Sequence, residues 1–210
     1  MALAISAQGL AKRYRSGARE LTIFSDLDIA VERGSAVAIV GESGAGKSSL
    51  LHLLGGLDRP SAGKVFYGDT DLFALTDDAL ADFRNRRLGF VWQQNSLLQE
   101  FTAAENVAMP LLIGGAARKS ALQIAEMRLE EVGLADRGHH RAGGMSGGEQ
   151  QRAALARSLV NNPEVLLADE PTGNLDHRTA DGVFELLERL REARALTTIM
   201  VTHSRELAGR

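Results

Sequence analysis

The sequence contains no cysteine among its 210 residues. A disulfide, a thiolate metal site and a cysteine nucleophile are therefore excluded. It also lacks any apolar run near the roughly 18 residues that a membrane-spanning helix needs. The most apolar loop region, 107–117, is interrupted by Pro110, Gly114 and Gly115. The N-terminus has neither the positive start nor the long apolar stretch of a signal peptide. We therefore expect a soluble, cytoplasmic chain that reaches a membrane only through a partner protein.

The sequence has no excess of positive charge, since 24 lysines and arginines face 27 aspartates and glutamates and the net charge is −3. A domain that binds nucleic acid by neutralising phosphates is usually basic. We therefore expect no nucleic-acid partner, although a small basic site for a nucleotide is compatible with this balance. Hydrophobic residues make up 44% and charged residues 24% of the chain, which is typical of a globular protein with a sizeable core.

Apolar runs alternate with helical patterns along most of the chain. Segments of strand length occupy 36–40, 88–92, 165–168 and 197–201. The first and third are continuous apolar runs, and each is expected to be a buried strand. Helical spacing relates four later residues, Val183, Leu186, Leu187 and Leu190. Strands that alternate with helices predict an α/β fold with a mostly parallel sheet covered on both faces.

The middle of the chain is more helical than the rest. Thr102 and Glu105 have the spacing of a capping box, in which each side chain satisfies a free backbone donor at a helix start. We therefore predict a helical insertion over about 95–155, between core segments at about 1–94 and 156–210. At 210 residues, the chain is expected to form a single domain.

A glycine-rich loop follows the strand at 36–40 and matches the pattern G-x-x-x-x-G-K-[ST] at every fixed position. Its glycines let the backbone curl around phosphate oxygens, and the next helix adds the positive end of its dipole. Lys47 is expected to reach the β- and γ-phosphates and Ser48 to ligate Mg²⁺. The alternative is a glycine-rich turn with a surface lysine. The predicted nucleotide-binding loop comprises Gly41, Glu42, Ser43, Gly44, Ala45, Gly46, Lys47, Ser48 and Ser49.

Two acids, Asp169 and Glu170, end the apolar segment at 165–168. Open α/β sheets bind their ligands at this edge. Asp169 is expected to hold Mg²⁺, which keeps several waters and is shared with substrate phosphates. Glu170 is then free to act as general base on the attacking water. Taken alone, the pair would better fit the start of a solvated loop, and its pairing with Lys47 favours the catalytic role.

The segment 145–149, with the sequence MSGGE, resembles the LSGGQ signature of ATPases of the ABC transporter family. Together with the two motifs above, this resemblance covers essentially the whole chain in the family's motif order. It implies a P-loop NTPase core, an N-terminal antiparallel β subdomain and an inserted helical subdomain. It also implies ATP and Mg²⁺ as ligands, a head-to-tail homodimer, and an integral-membrane permease as partner. Without the other motifs, Ser146 and Glu149 would indicate only a capping box.

Further site residues are implied by this resemblance. Tyr14 corresponds to the aromatic residue that stacks on adenine, and Gln93 to the Q-loop glutamine that links Mg²⁺, the attacking water and the transporter contact. His203 matches the switch histidine that contacts the γ-phosphate. The four signature residues that would bind the nucleotide of the other subunit are Ser146, Gly147, Gly148 and Glu149. The three residues that would cross the dimer seam are Asn174, Leu175 and Asp176.

Two stretches, 50–58 and 101–114, resemble the branch of the family that drives lipoprotein-releasing transporters. The sequence DEPTGNLD at 169–176 is shared with macrolide-exporter and cell-division (FtsE-type) ATPases, which are the alternative. Met145, Glu149 and Gln94 depart from the usual pattern. The resemblance implies an ATPase coupled to transport, peripheral on the inner face of the cell membrane through the permease.

Two other classes of P-loop protein fit the sequence less well. ABC-type ATPases of DNA repair carry long coiled-coil insertions with sustained heptads, and the segment between Gln93 and Ser146 is too short for one. A GTPase would be expected to show the string Asn-Lys-x-Asp, which does not occur here. A kinase would need an acceptor site and a lid.

Overall fold

The computed structural model describes residues 2–17, 19–204 and 208–209. Its N-terminal part is an antiparallel sheet with the strand order β2-β1-β4-β5. Two long strands form a hairpin, and β4 pairs with the other edge of β1. The four strands are β1 (Leu3–Ser16), β2 (Arg19–Glu32), β4 (Ala62–Tyr67) and β5 (Thr70–Asp71).

The second sheet is parallel and has the order β3-β8-β7-β6. Its strands are β3 (Ala36–Val40), β6 (Leu88–Trp92), β7 (Val165–Asp169) and β8 (Thr197–Thr202). The prediction that 36–40 is a buried strand is wrong: β3 lies at an edge of the sheet, and Val40 is 43% exposed. An apolar run of strand length occurs at the edge of a sheet as well as in its centre, so the run alone does not place the strand in the sheet.

The central strand β7 shows why its sequence is apolar from Val165 to Ala168. Val165 and Leu167 of β7 pack into one hydrophobic cluster with the antiparallel sheet, whereas Leu166 and Ala168 pack into another with the later helices. Successive side chains of a strand point to opposite faces. Because both faces are covered, the four positions from Val165 to Ala168 are buried, as expected of a parallel sheet.

Three helices pack around these sheets. They are α1 (Lys47–Leu54), α2 (Asp77–Arg87) and α6 (His177–Arg194). The residues with helical spacing in α6, from Val183 to Leu190, are buried as predicted. Asp176 caps this helix, because its carboxylate accepts a hydrogen bond from the amide of Thr179 at 3.1 Å.

The middle of the chain forms a helical unit of α3 (Ala103–Ile113), α4 (Arg118–Glu131) and α5 (Gly147–Leu159). Short 3₁₀ turns at Leu72–Ala74, Ala135–Arg137 and Ala142–Gly144 complete the described helices. Both predicted capping boxes are present, at the starts of α3 and α5. The predicted fold class, a parallel core with an antiparallel β subdomain and an inserted helical subdomain, is confirmed. The boundaries at about 95 and 155 remain predictions.

Candidate nucleotide site

The glycine-rich loop connects the end of β3 to the start of α1. Gly44 and Gly46 adopt positive φ angles of 82° and 87°, in the left-handed region that disfavours other residues. A Cβ atom at Gly46 would also lie 2.3 Å from Cγ2 of Ile23 in β2. The antiparallel sheet thus packs directly on the loop, and only glycine fits at this contact.

Helix α1 begins without a side-chain cap, because Gly46 occupies its N-cap position. Its first amides are therefore available to an anion, in the arrangement that favours phosphate at a helix start. Lys47 is the first residue of this helix, and its ammonium donates hydrogen bonds to the carbonyls of Gly41 at 2.8 Å and Glu42 at 2.9 Å. The lysine therefore curves over the loop instead of extending into solvent.

The predicted acid pair lies at the carboxyl end of the parallel sheet. Asp169 is the last residue of β7, and Glu170 follows it with a positive φ of 46°. This conformation is uncommon for a non-glycine residue and is found preferentially at functional sites. It is held by two backbone hydrogen bonds of 2.9 Å, from the amide of Glu170 to Val201 and from the amide of Gly173 to Glu170. The side chain of Glu170 is only 15% exposed.

These elements surround one cavity of about 440 Å³, within the usual size range of small-molecule sites. It brings together residues separated by up to 180 positions in the sequence. Its lining consists of Ile23, Ser43, Gly44, Gly46, Lys47, Ser48, Ser49, Gln93, Asp169, Glu170, Val201 and His203. Ten of these twelve residues are among the predicted site residues, and the two that the sequence did not predict are Ile23 and Val201.

Gln93 connects this cavity to the segment after Glu170. Its side-chain amide donates to Oδ1 of Asn174 at 3.1 Å, and the amide of Asn174 donates to the backbone carbonyl of Gln93 at 3.0 Å. A Cβ atom at Gly173 would lie 3.0 Å from Nε2 of the same glutamine. The two loops are therefore in contact through a reciprocal pair of hydrogen bonds.

The signature segment lies at the start of α5 and, among the described residues, contributes none of its four predicted members to the cavity. Ser146 and Glu149 form the capping box there. A Cβ atom at Gly148 would lie 2.5 Å from Cγ2 of Thr179, so the start of α5 packs closely on the start of α6. One chain thus carries two separate candidate phosphate-binding helix starts, one in the cavity and one outside it.

The comparisons with known proteins agree with this geometry. The ABC transporter family matches residues 24–173. The "Lipoprotein-releasing system ATP-binding protein LolD" of Koribacter versatilis is 57% identical over 96% of this chain and 90% of its own length. The protein of the same name from Syntrophotalea carbinolica is 52% identical over 98% of this chain and 90% of its own.

This chain belongs to the ABC transporter family. Among solved structures, it is similar to the ATP-binding cassette MJ0796 in a dimeric post-hydrolysis state bound to ADP and Pi. The identity is 35%, the TM-score is 0.88, and the match covers 97% of this chain and 90% of that one. The chain is accordingly an ATPase subunit of this family.

The aromatic residue expected to stack on adenine lies outside the cavity lining. Tyr14 is on β1, and its ring is 42% exposed. Its hydroxyl donates to Oδ2 of Asp58 at 3.1 Å, and the ammonium of Lys12 lies 4.6 Å from the ring centroid. Burial opposes ionisation of Asp58, but the hydrogen bonds from Lys12 and Tyr14 outweigh it and lower the pKa of this carboxyl. In this ABC ATPase, Asp58 therefore holds the hydroxyl of Tyr14, and Lys12 lies over one face of its ring.

Sequence reasoning missed two groups around the nucleotide site of this ABC ATPase. Ile23 and Val201 line the cavity, and Lys12 and Asp58 hold Tyr14. Val201 belongs to a predicted strand, but an apolar strand residue gives no local sign of contact with a ligand. Ile23 reaches the cavity, and Asp58 reaches Tyr14, only through the tertiary fold.

Proposed function

We propose that this chain is the ATP-binding and ATP-hydrolysing subunit of a lipoprotein-releasing transporter, working as a head-to-tail homodimer beneath a membrane permease. One observation supports the assignment of ATP hydrolysis: the same cavity is lined by Lys47, Asp169, Glu170 and His203. It combines a phosphate-binding helix start with two carboxylates at the edge of the sheet. The lipoprotein-releasing assignment is supported by the name that the curated relatives carry at 50–57% identity.

The residues in the cavity have distinct roles in this proposal. The loop amides and Lys47 bind the phosphates and orient the γ-phosphate for in-line attack, because positioning supplies much of phosphoryl-transfer catalysis. Glu170 accepts the proton of the attacking water as general base. His203, whose Nδ1 lies 2.9 Å from Oε1 of Glu170, fixes the direction in which that carboxylate points. Gln93 orients the water from the opposite loop.

The donor set in the cavity fits Mg²⁺. Ser48, Gln93 and Asp169 all line the cavity and offer a hydroxyl, an amide carbonyl and a carboxylate, and Mg²⁺ prefers oxygen ligands shared with substrate phosphates. These three residues would hold the ion. Bound there, it would neutralise charge on the phosphate oxygens.

A second copy of the chain would complete the site. The lining of the cavity comes from a single chain, while the start of α5 lies outside this cavity and presents Ser146 and Gly147, which are exposed. In a head-to-tail dimer, this helix start would face the ATP of the other subunit, where its dipole favours negative charge. The segment Asn174, Leu175 and Asp176 would then lie at the seam between subunits.

A groove between the parallel sheet and the helical unit is the proposed docking site for the permease. Its apolar lining includes Leu57, Trp92 and Ile113, of which Leu57 is 47% and Ile113 72% exposed. Arg84 and Arg157 also line it. Within the part of the chain that the structure describes, no helix has the length and apolarity to cross a membrane. An amphipathic permease segment with acidic residues would match this groove, and would hold the chain at the inner face of the membrane.

Purification from native membranes tests the transporter assignment. A tagged chain should bring down an integral-membrane protein, and that protein should raise its ATPase rate when the two are reconstituted. A lipoprotein-releasing assembly should also transfer a lipoprotein in an ATP-dependent manner. Recovery of a drug exporter or a cell-division protein instead would assign the chain to the alternative branches.

A further inference from the structure

The signature serine is part of a hydrogen-bond network that extends beyond its capping box. The hydroxyl and the backbone amide of Ser146 both donate to Oε2 of Glu149 at 2.9 Å. The other carboxylate oxygen, Oε1, accepts a hydrogen bond of 2.9 Å from Nε of Arg137. Arg137 lies in the 3₁₀ turn after α4, and its Nη1 is 3.3 Å from Nε2 of His140. Glu149 and His140 thus contact two different nitrogens of the Arg137 guanidinium, and these contacts fix its position.

This network has a consequence for phosphate binding. A serine hydroxyl has one proton, and here the carboxylate of Glu149 accepts it. To donate a hydrogen bond to a phosphate oxygen, the Ser146 hydroxyl must first break its hydrogen bond to this negatively charged carboxylate. The same carboxylate also brings a negative charge to the helix start that would receive the γ-phosphate of the other subunit. Both effects oppose phosphate binding at this motif.

Arg137 offsets both effects. Its guanidinium neutralises the carboxylate and engages the oxygen that Ser146 does not use. The hydrogen bonds from Ser146, first from its backbone and then from its hydroxyl, lower the pKa of Glu149, and the charge of Arg137 adds to them. The carboxyl is therefore ionised at neutral pH, and its charge needs a counterion.

We propose that Arg137 is a positioning residue for the signature motif: by pairing with Glu149, it weakens the hydrogen bond between that carboxylate and the Ser146 hydroxyl, which can then turn to the phosphate of the other subunit. This inference rests on the proposed composite site. It implies that the requirement for Arg137 exists only because a glutamate stands at position 149. A glutamine there would carry no charge and would be a weaker acceptor, so the arginine would become dispensable.

A double-mutant cycle in the Glu170→Gln background tests this dependence. The dimer dissociation constant is measured at saturating ATP and Mg²⁺ by light scattering for Arg137→Met, Glu149→Gln and the two together. An exposed ion pair contributes about threefold per site, so Arg137→Met should weaken the dimer about tenfold, since both sites change. In the Glu149→Gln background, the same substitution should change it less than about twofold. Arg141→Met is the matched control, because Arg141 lies in the same loop and pairs only loosely with Glu100, at 3.7 Å.

The outcomes separate the inference from the function on which it rests. An equal loss for Arg137→Met with and without Glu149→Gln would overturn the pairing, since the arginine would then act through its own charge. No loss at all would overturn it as well. If the Glu170→Gln parent binds ATP and stays monomeric, the composite site fails and the inference fails with it. Melting curves and a second neutral variant, Arg137→Gln, establish that the loss of dimer does not come from unfolding.

Discussion

Nδ1 of His203 lies 2.9 Å from Oε1 of Glu170, across the carboxyl ends of two adjacent parallel strands. The contact joins a largely buried carboxylate, 15% exposed, to an imidazole that is 69% exposed. Glu170 is also held in a left-handed backbone conformation. The structure thus fixes the position and the direction of one acid at the edge of the cavity, which is what a general base requires.

Replacing Glu170 should stop hydrolysis without stopping nucleotide binding. Glu170→Gln keeps the shape of the side chain and removes the proton acceptor, so turnover should fall by about 10²–10⁴-fold. Steady-state phosphate release and ATP titration measure the two effects separately. Glu185→Gln, at an exposed position of α6, is the control and should match the wild type. Near-normal turnover of Glu170→Gln would transfer the role of base to His203.

Removing the ammonium of Lys47 should weaken ATP binding while the fold survives. Lys47→Ala loses hydrogen bonds to a charged group, which predicts a loss of about tenfold to a hundredfold in affinity. Calorimetric titration gives the affinity, and a melting curve tests the fold. The control is Lys119→Ala, which removes the same charge at an exposed position. If the affinity for ATP is unchanged, Lys47 does not bind the phosphates.

The contact between Tyr14 and Asp58 should matter for the base of the nucleotide and not for its phosphates. Asp58→Asn releases the tyrosine ring, and we expect ATP affinity to fall about threefold to tenfold, part of the ~1–3 kcal/mol of base–aromatic stacking. Affinity for inorganic tripolyphosphate should stay the same. Asp77→Asn, which breaks the ion pair of the neighbouring Arg59, is the control. An equal loss for both ligands would mean that Asp58 supports the phosphate loop instead.

A charge in the proposed docking groove should separate the chain from its membrane partner. Ile113 is 72% exposed at the end of α3, so Ile113→Asp should leave the fold and the basal ATPase rate unchanged. Copurification of the permease should drop strongly, because an apolar contact is replaced by a buried charge. Met127→Asp, at an exposed position of α4 outside the groove, is the matched control. Full copurification of Ile113→Asp would place the docking surface elsewhere.

Short contiguous sequence motifs predicted most of the fold and of the site. The phosphate loop, the acid pair and both capping boxes are contiguous motifs whose chemistry depends on spacing alone, and the structure places them on the expected elements. The edge position of β3 was missed because an apolar run looks the same at an edge and in the centre of a sheet. The Tyr14–Asp58 contact joins residues 44 positions apart. That between Arg137 and Glu149 depends on how a 3₁₀ turn meets the start of α5, so neither has a local signature.

The central claim is that each hydrolytic site is built from two copies of this chain. Light scattering after size exclusion tests it directly on Glu170→Gln, which cannot consume the ATP that holds the subunits together. At saturating ATP and Mg²⁺ the mutant should be a dimer, and with ADP it should be a monomer. Adding Ser146→Arg should abolish the dimer and spare ATP binding by the monomer. A Glu170→Gln protein that binds ATP and remains monomeric at high protein concentration would contradict the account.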